Sequence, residues 1–206
     1  MANLDFKLML ITGASDPARA LLTAVGEALR AGVKAMQLRE KSISAWALMD
    51  MATELRHMTR QYGALLFIND RVDIALCAEA DGVQLGEKSI PIDAARKLAG
   101  DKLLIGKSTH SLDEAFEARR KGADFILLGP IYHTPSKAQY GEPIGLEIIQ
   151  EVKHKVKLPV FAVGGIKPQH IEEVMEFGAD GIAVISGILS SDNISVVTEK
   201  YLELLK

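Results

Sequence analysis

The sequence predicts an α/β chain folded as a single (β/α)8 TIM barrel over residues 1–206, on three observations. Eight short apolar runs alternate with longer segments of helical periodicity, the pattern of successive βα units feeding a parallel sheet. Four runs are introduced by a similar small-residue turn, in RAGVKAMQL, EADGVQLGE, KGADFILLG and FGADGIAVI. Their first large apolar residues, Val33, Val83, Phe125 and Ile182, lie 50, 42 and 57 residues apart, two βα units each time. Every second strand is thus entered the same way, although Gly, Ala and Asp are also simply what a tight helix-to-strand turn requires. Finally, no GxGxxG follows the first strand, where the chain reads ITGASDP, so a doubly wound open sheet is the weaker alternative.

With 206 residues and 48% apolar content, the chain can bury a substantial core in one domain. A formal net charge of −3 gives no global attraction to nucleic acid or anionic membrane, and nothing reads as a basic recognition helix. Any anion must be held by a local cluster. Cys77 is the only cysteine, which excludes an intramolecular disulfide and a multi-cysteine metal site and fits a reducing compartment. No apolar run approaches the roughly 20 residues of a membrane span, and MANLDFKLMLITG lacks a signal-peptide pattern. A soluble, cytoplasmic protein is expected, without nucleic-acid or membrane partners; a homo-oligomer stays open.

The eight strands are expected at 6–12, 33–38, 64–68, 82–85, 103–106, 125–129, 160–163 and 182–186. In such a barrel, function sits in the loops beyond the strands' C-terminal ends. The second strand ends in QLREK, and alternation at period two puts Gln37, Arg39 and Lys41 on one side, three anion-capable donors in five residues. The third runs into INDRVDIAL, where Asn69 or Asp70 either caps the next helix or faces a ligand, Asp70 as a magnesium ligand. Arg71 and Asp73 read as a surface ion pair, and Cys77 as a small buried residue in mid-helix. After the fourth strand comes LGEKS, and after the fifth IGKSTHS. There Ser108 stands at a strand end, Ser111 and Glu114 form a helix-capping box, and His110 is an orienting or structural imidazole.

The sixth strand leads into LGPIYHTPSK, and the span from Pro130 to Glu142 suits either a closing lid or an ordinary exposed loop. VGGIKP follows the seventh: Gly164 and Gly165 let backbone approach a ligand, and Pro168 suits a first helical turn. VISGI follows the eighth, with Ser186 and Gly187. Loops seven and eight are a frequent phosphate site in barrels.

QLREK, INDRVDIAL, ADGVQLG, IGKSTHS, GADFILLGPIYHTPSK, PVFAVGGI and GADGIAVIS, in this order over nearly the whole chain, resemble the thiamine phosphate synthase family. Its superfamily also holds a TenI-like branch of thiazole tautomerases. The resemblance implies a (β/α)8 barrel and a transferase that joins hydroxymethylpyrimidine diphosphate to thiazole phosphate with Mg²⁺, releasing pyrophosphate. It implies that Gln37, Arg39 and Lys41 bind diphosphate, and that Asn69 and Asp70 serve pyrimidine, diphosphate and metal. Ser108 and Lys137 would lie around the pyrophosphate, Thr134 and Ser136 between the two phosphates, and Gly165, Ile185 and Ser186 at the thiazole phosphate. Arg39, Lys137 and Ser108 would act in catalysis. The chain departs from the synthase pattern at Ser89, where a second metal carboxylate is expected, and at Gln84, often His. Lys107 matches the tautomerase branch, whose catalytic His is replaced here by Pro130. An isomerase acting on a thiazole carboxylate phosphate is therefore the alternative, with His133 as the nearest substitute proton carrier. A non-catalytic thiazole or thiamine phosphate binding protein is a third reading.

Overall fold

The computed structural model describes residues 4–13, 18–134 and 142–206. Its strands are β1 (Leu8–Ile11), β2 (Ala35–Leu38), β3 (Leu65–Asn69), β4 (Gly82–Leu85), β5 (Leu104–Thr109), β6 (Phe125–Leu128), β7 (Val160–Val163) and β8 (Gly181–Val184). Every neighbouring pair is parallel, and β8 closes on β1, giving the predicted eight-stranded barrel. The helices are α1 (Ala18–Arg30), α2 (Ala45–Tyr62), α3 (Val72–Cys77), α4 (Ile92–Ala99), α5 (Leu112–Arg120), α6 (Glu147–Lys155), α7 (Ile171–Glu176), α8 (Ser186–Leu189) and α9 (Ile194–Leu204). None of the helices in the described residues is long and apolar enough to cross a membrane.

Side chains alternate along each strand, so one set faces the helices and the other fills the barrel. The filling is aromatic: Phe6, Phe67, Phe125 and Phe161 pack with Met9, Ile11, Ala35, Leu127 and Ala183. Phe6 stacks on Phe161 with centroids 4.8 Å apart, and Phe67 meets Phe125 edge-on at 5.3 Å. Rings of this size fit because adjacent strands offer glycine at the same level. A Cβ on Gly82, Gly106 or Gly181 would overlap the ring of Phe67, Phe125 or Phe161 respectively.

The repeated turn before the even-numbered strands does more than reverse the chain. Asp81, Asp124 and Asp180 each accept the backbone N–H of a residue on the preceding strand, Leu66 at 2.8 Å, Ile105 at 2.7 Å and Val160 at 2.7 Å. Each carboxylate also pairs with a cation from the preceding even-numbered helix: Arg56 at 2.5 Å, Arg96 at 2.6 Å and Lys153 at 2.6 Å. One carboxylate thereby ties a strand, the next strand and a helix together at the end of the barrel away from the loops that carry function. In the first copy of the turn Lys34 takes that place, and its ammonium donates to Tyr62 O at 2.9 Å, at the end of α2.

Three expectations are corrected. β5 continues three residues beyond Gly106, so Ser108 lies within a strand rather than at its expected end. β8 stops at Val184, and Ser186 begins α8. Cys77 is exposed and is the last residue of α3, not a buried mid-helix side chain.

Candidate functional site

At the C-terminal ends of the strands, the inward-facing layer divides by chemistry. β2 to β5 contribute Gln37, Asn69, Gln84 and Ser108, which alternation places on the same side as the barrel-filling Ala35, Phe67, Gly82 and Gly106. β6, β7, the end of β8 and β1 contribute Leu127, Val163, Ile185 and Ile11, all packed with the aromatic core. Half of the mouth is polar and half apolar.

The polar half is a connected network. Gln37, 2% exposed, donates from Nε2 to Asn69 Oδ1 at 2.8 Å, and Asn69 Nδ2 donates to Asp70 Oδ2 at 2.6 Å. Gln84, equally buried, donates from Nε2 to Ser108 Oγ at 3.1 Å. Asp70 itself has φ 61°, a left-handed conformation uncommon outside glycine, and its N–H donates to Gln84 O at 2.9 Å. Its Oδ1 accepts from the Ser89 hydroxyl and from Gly86 N at 3.3 Å, while Ser89 Oγ accepts from Gly86 N at 2.6 Å. The capping reading for Asn69 and Asp70 fails: the N-cap of α3 is Arg71, without a side-chain cap bond, and both candidate side chains turn into the mouth network.

Lys107 reaches the same loop from β5, donating to Gly86 O at 2.6 Å. Burial lowers its pKa below the ordinary lysine value, while Glu114, Asp70 and Glu87 pull it back up. In the sequence Lys107 stands out only by its match to the tautomerase branch; its reach to Gly86, 21 residues away, leaves no local signal.

The expected alignment of Gln37, Arg39 and Lys41 on one face holds only in part. β2 ends at Leu38, so Arg39 and Lys41 lie in the following loop, half-buried and exposed respectively. Arg39 is anchored through its backbone, its N–H donating to Thr12 Oγ1 at 2.8 Å. Thr12, fully buried, donates its hydroxyl hydrogen bond to Glu40 Oε1 at 2.9 Å, which occupies the neighbouring carboxylate. Arg71 and Asp73 form the expected ion pair, 2.6 Å and largely exposed.

On the apolar side, the β7 glycines seat the loop that leaves β6. Gly164 and Gly165 have φ 98° and 68°, open to glycine but strained for other residues. A Cβ on Gly164 would come within 2.7 Å of Pro130 Cα, and one on Gly165 within 2.6 Å of His133 O. Ile131 N and Tyr132 N donate to Val163 O and Gly164 O at 2.9 and 3.0 Å. The close approach these glycines permit in the structure is thus to residues 130–133. Tyr132 continues the clasp by stacking on His170, centroids 4.1 Å apart, and donating its hydroxyl to Glu173. Burial, then that carboxylate, raises the phenol's pKa well above its ordinary value.

Of the remaining candidates, Ile185 links β8 to α8 and Ser186 is exposed. Gly187 leaves room for the Tyr201 hydroxyl, which donates to Ile166 O at 3.1 Å. Ser111 caps α5 as expected, accepting from Glu114 N at 3.2 Å, but Glu114 reaches back to His110 N rather than to Ser111. His110 Nδ1 sits against Gly129 O, joining β5 to the end of β6 in the structural role expected of it. Thr134 is half-buried and His133 exposed, whereas Ser136, Lys137 and most of the lid segment lie outside the described residues.

Residues 8–188 match the family model described as thiamine monophosphate synthase. The chain is 49% identical over 191 residues to a putative thiamine-phosphate synthase of Geobacter sulfurreducens, covering 92% of this chain and 90% of that protein. It is 43% identical over 195 residues to a thiamine-phosphate synthase of Clostridium acetobutylicum, covering 94% and 92%. Among solved structures, thiamine phosphate pyrophosphorylase from Pyrococcus furiosus superposes with a TM-score of 0.89 at 40% identity, covering 97% and 95%.

Proposed function

The chain belongs to the thiamine monophosphate synthase family, and on that premise we propose that residues 1–206 act as one catalytic unit forming thiamine phosphate. The methylene–oxygen bond of hydroxymethylpyrimidine diphosphate breaks with its electron pair leaving on pyrophosphate. The thiazole nitrogen's lone pair makes the new carbon–nitrogen bond. The observation that carries the reading is the divided mouth: a polar wall for the charged diphosphate, and an apolar wall, Leu127, Val163 and Ile185, for the thiazole ring.

Catalysis of this kind is mostly positioning and charge neutralisation. Arg39 and Lys41 meet the diphosphate oxygens together with Lys137, and Ser108 donates to the leaving group. Gln37 and Asn69, already bonded to each other, hold the pyrimidine edge. Thr134 and Ser136 lie between the two phosphates, and Gly165, Ile185 and Ser186 receive the thiazole phosphate.

Mg²⁺ fits as a substrate-carried ion. Asp70 is the carboxylate that would hold it, and the described residues contain no group of three His, Cys, Asp or Glu able to hold a metal by themselves. Its two oxygens accept three bonds from Asn69, Gly86 and Ser89, fewer than the roughly four a carboxylate can accept. A single coordination site remains, consistent with an ion that takes its other ligands from phosphates and water. When bound, it would neutralise charge developing on the diphosphate. Ser89→Asp should then lower the Mg²⁺ concentration giving half-maximal rate, by about tenfold for one added carboxylate ligand. An unchanged requirement would show that Ser89 does not limit metal binding.

The isomerase alternative is not favoured: its proton carrier would have to be His133, which is exposed, and the relatives carry the synthase name. The deciding assay mixes purified protein with both substrates and Mg²⁺ and follows thiamine phosphate and pyrophosphate together. Stoichiometric appearance of the two is expected; no product above background at high protein concentration would overturn the reading.

A further inference from the structure

Two serines stand in the polar wall, and their hydrogen-bond partners use them in opposite ways. Ser89 gives its proton to Asp70 and is spent on the protein's own carboxylate. Ser108 accepts instead, from Gln84 Nε2 at 3.1 Å. A hydroxyl has one proton and two lone pairs, so an oxygen already accepting from an amide keeps its proton to give. Among the described residues no acceptor takes that proton. Gln84 is held in place: it is 1% exposed, it pairs across the sheet with Gly106, and a Cβ there would overlap both its Oε1 and the Phe125 ring. Among the described residues Oε1 has no partner, so the side-chain amide's one hydrogen bond there is the one to Ser108.

We infer that Gln84 is a positioning residue whose amide N–H fixes the Ser108 hydroxyl as a donor to an anionic oxygen of the departing diphosphate. This deepens the functional reading above and rests on its placement of the diphosphate at Ser108. The contribution of the Ser108 hydroxyl then depends on the residue at position 84.

Calorimetric binding of inorganic pyrophosphate to the wild type, Ser108→Ala, Gln84→Met and the double variant tests it. Ser108→Ala is expected to weaken binding about tenfold in the wild-type background, as for a hydrogen bond to a charged group, and less than about twofold beside Gln84→Met. Gln84→His, which retains a ring N–H donor, should keep most of the Ser108 effect. If the Met variant does not fold, Gln84→Asn, too short to reach Ser108, takes its place in the cycle. Equal losses in both backgrounds, or wild-type affinity in Gln84→Met, would overturn the inference, as would a wild-type protein that does not bind pyrophosphate. A wild type that binds pyrophosphate yet forms no thiamine phosphate would sink the functional reading alone.

Discussion

Arg39→Ala should lower kcat/KM for thiamine phosphate formation by about 10²- to 10³-fold, the scale of removing one preorganised charge from a developing anion. The guanidinium fork can bind two diphosphate oxygens at once. The Arg39 backbone is pinned to Thr12, and the adjacent carboxylate of Glu40 is drawn to the same hydroxyl. Arg39→Lys keeps the charge but not the fork, so a smaller loss of about tenfold is expected. Steady-state kinetics with each substrate varied in turn, alongside melting curves, checks both variants. Unaltered kinetics in Arg39→Ala would remove Arg39 from the site.

The second large effect is on stability. Asp124→Ala should destabilise the fold by about 3 kcal/mol, because it strands the Ile105 N–H and leaves a partly buried Arg96 without its carboxylate. For a chain of this length that corresponds to a fall in melting temperature of about 6–12 °C. Arg96 retains carbonyl acceptors at Gly100, Leu103 and Gly122, which keeps the loss from being greater. Glu117 is the contrast. Hydrogen bonds from Arg120 and Lys121 hold its carboxyl at about 2, yet the group lies at the surface, where water screens the pairing. Glu117→Gln should leave the melting temperature where it is. Comparable shifts for the two variants, read by thermal or urea unfolding, would refute the bracing role of the turn aspartates.

What was legible in the sequence follows from how each feature is encoded. β7 falls where its apolar run places it because its residues are apolar on both faces, and β4 does so with Gln84 as its one polar side chain. β5 was cut short because Lys107, Ser108 and Thr109 read as a loop, although they remain paired with Ile126, Leu127 and Leu128. Polar residues facing into a barrel mouth erase the hydrophobic signal that marks a strand. Cys77 was misplaced because Val72 and Ala75 set an apolar stripe whose continuation stops with the helix. The alternating turn was seen, but not the bracing role of its aspartates, since their partners lie 15 to 28 residues away. In the site, residue types at strand ends were readable. Which hydroxyl donates and which accepts was not, because that depends on Gln84 and Asp70 reaching across strands.

The four phenylalanines that fill the barrel also set the traffic through it. With Phe6, Phe67, Phe125 and Phe161 in contact across the axis, the mouth is a blind-ended cup rather than a passage. Two substrates and two products must share one doorway. The polar and apolar walls both open on that doorway, so a floor built for packing also fixes the side from which every reactant comes and goes.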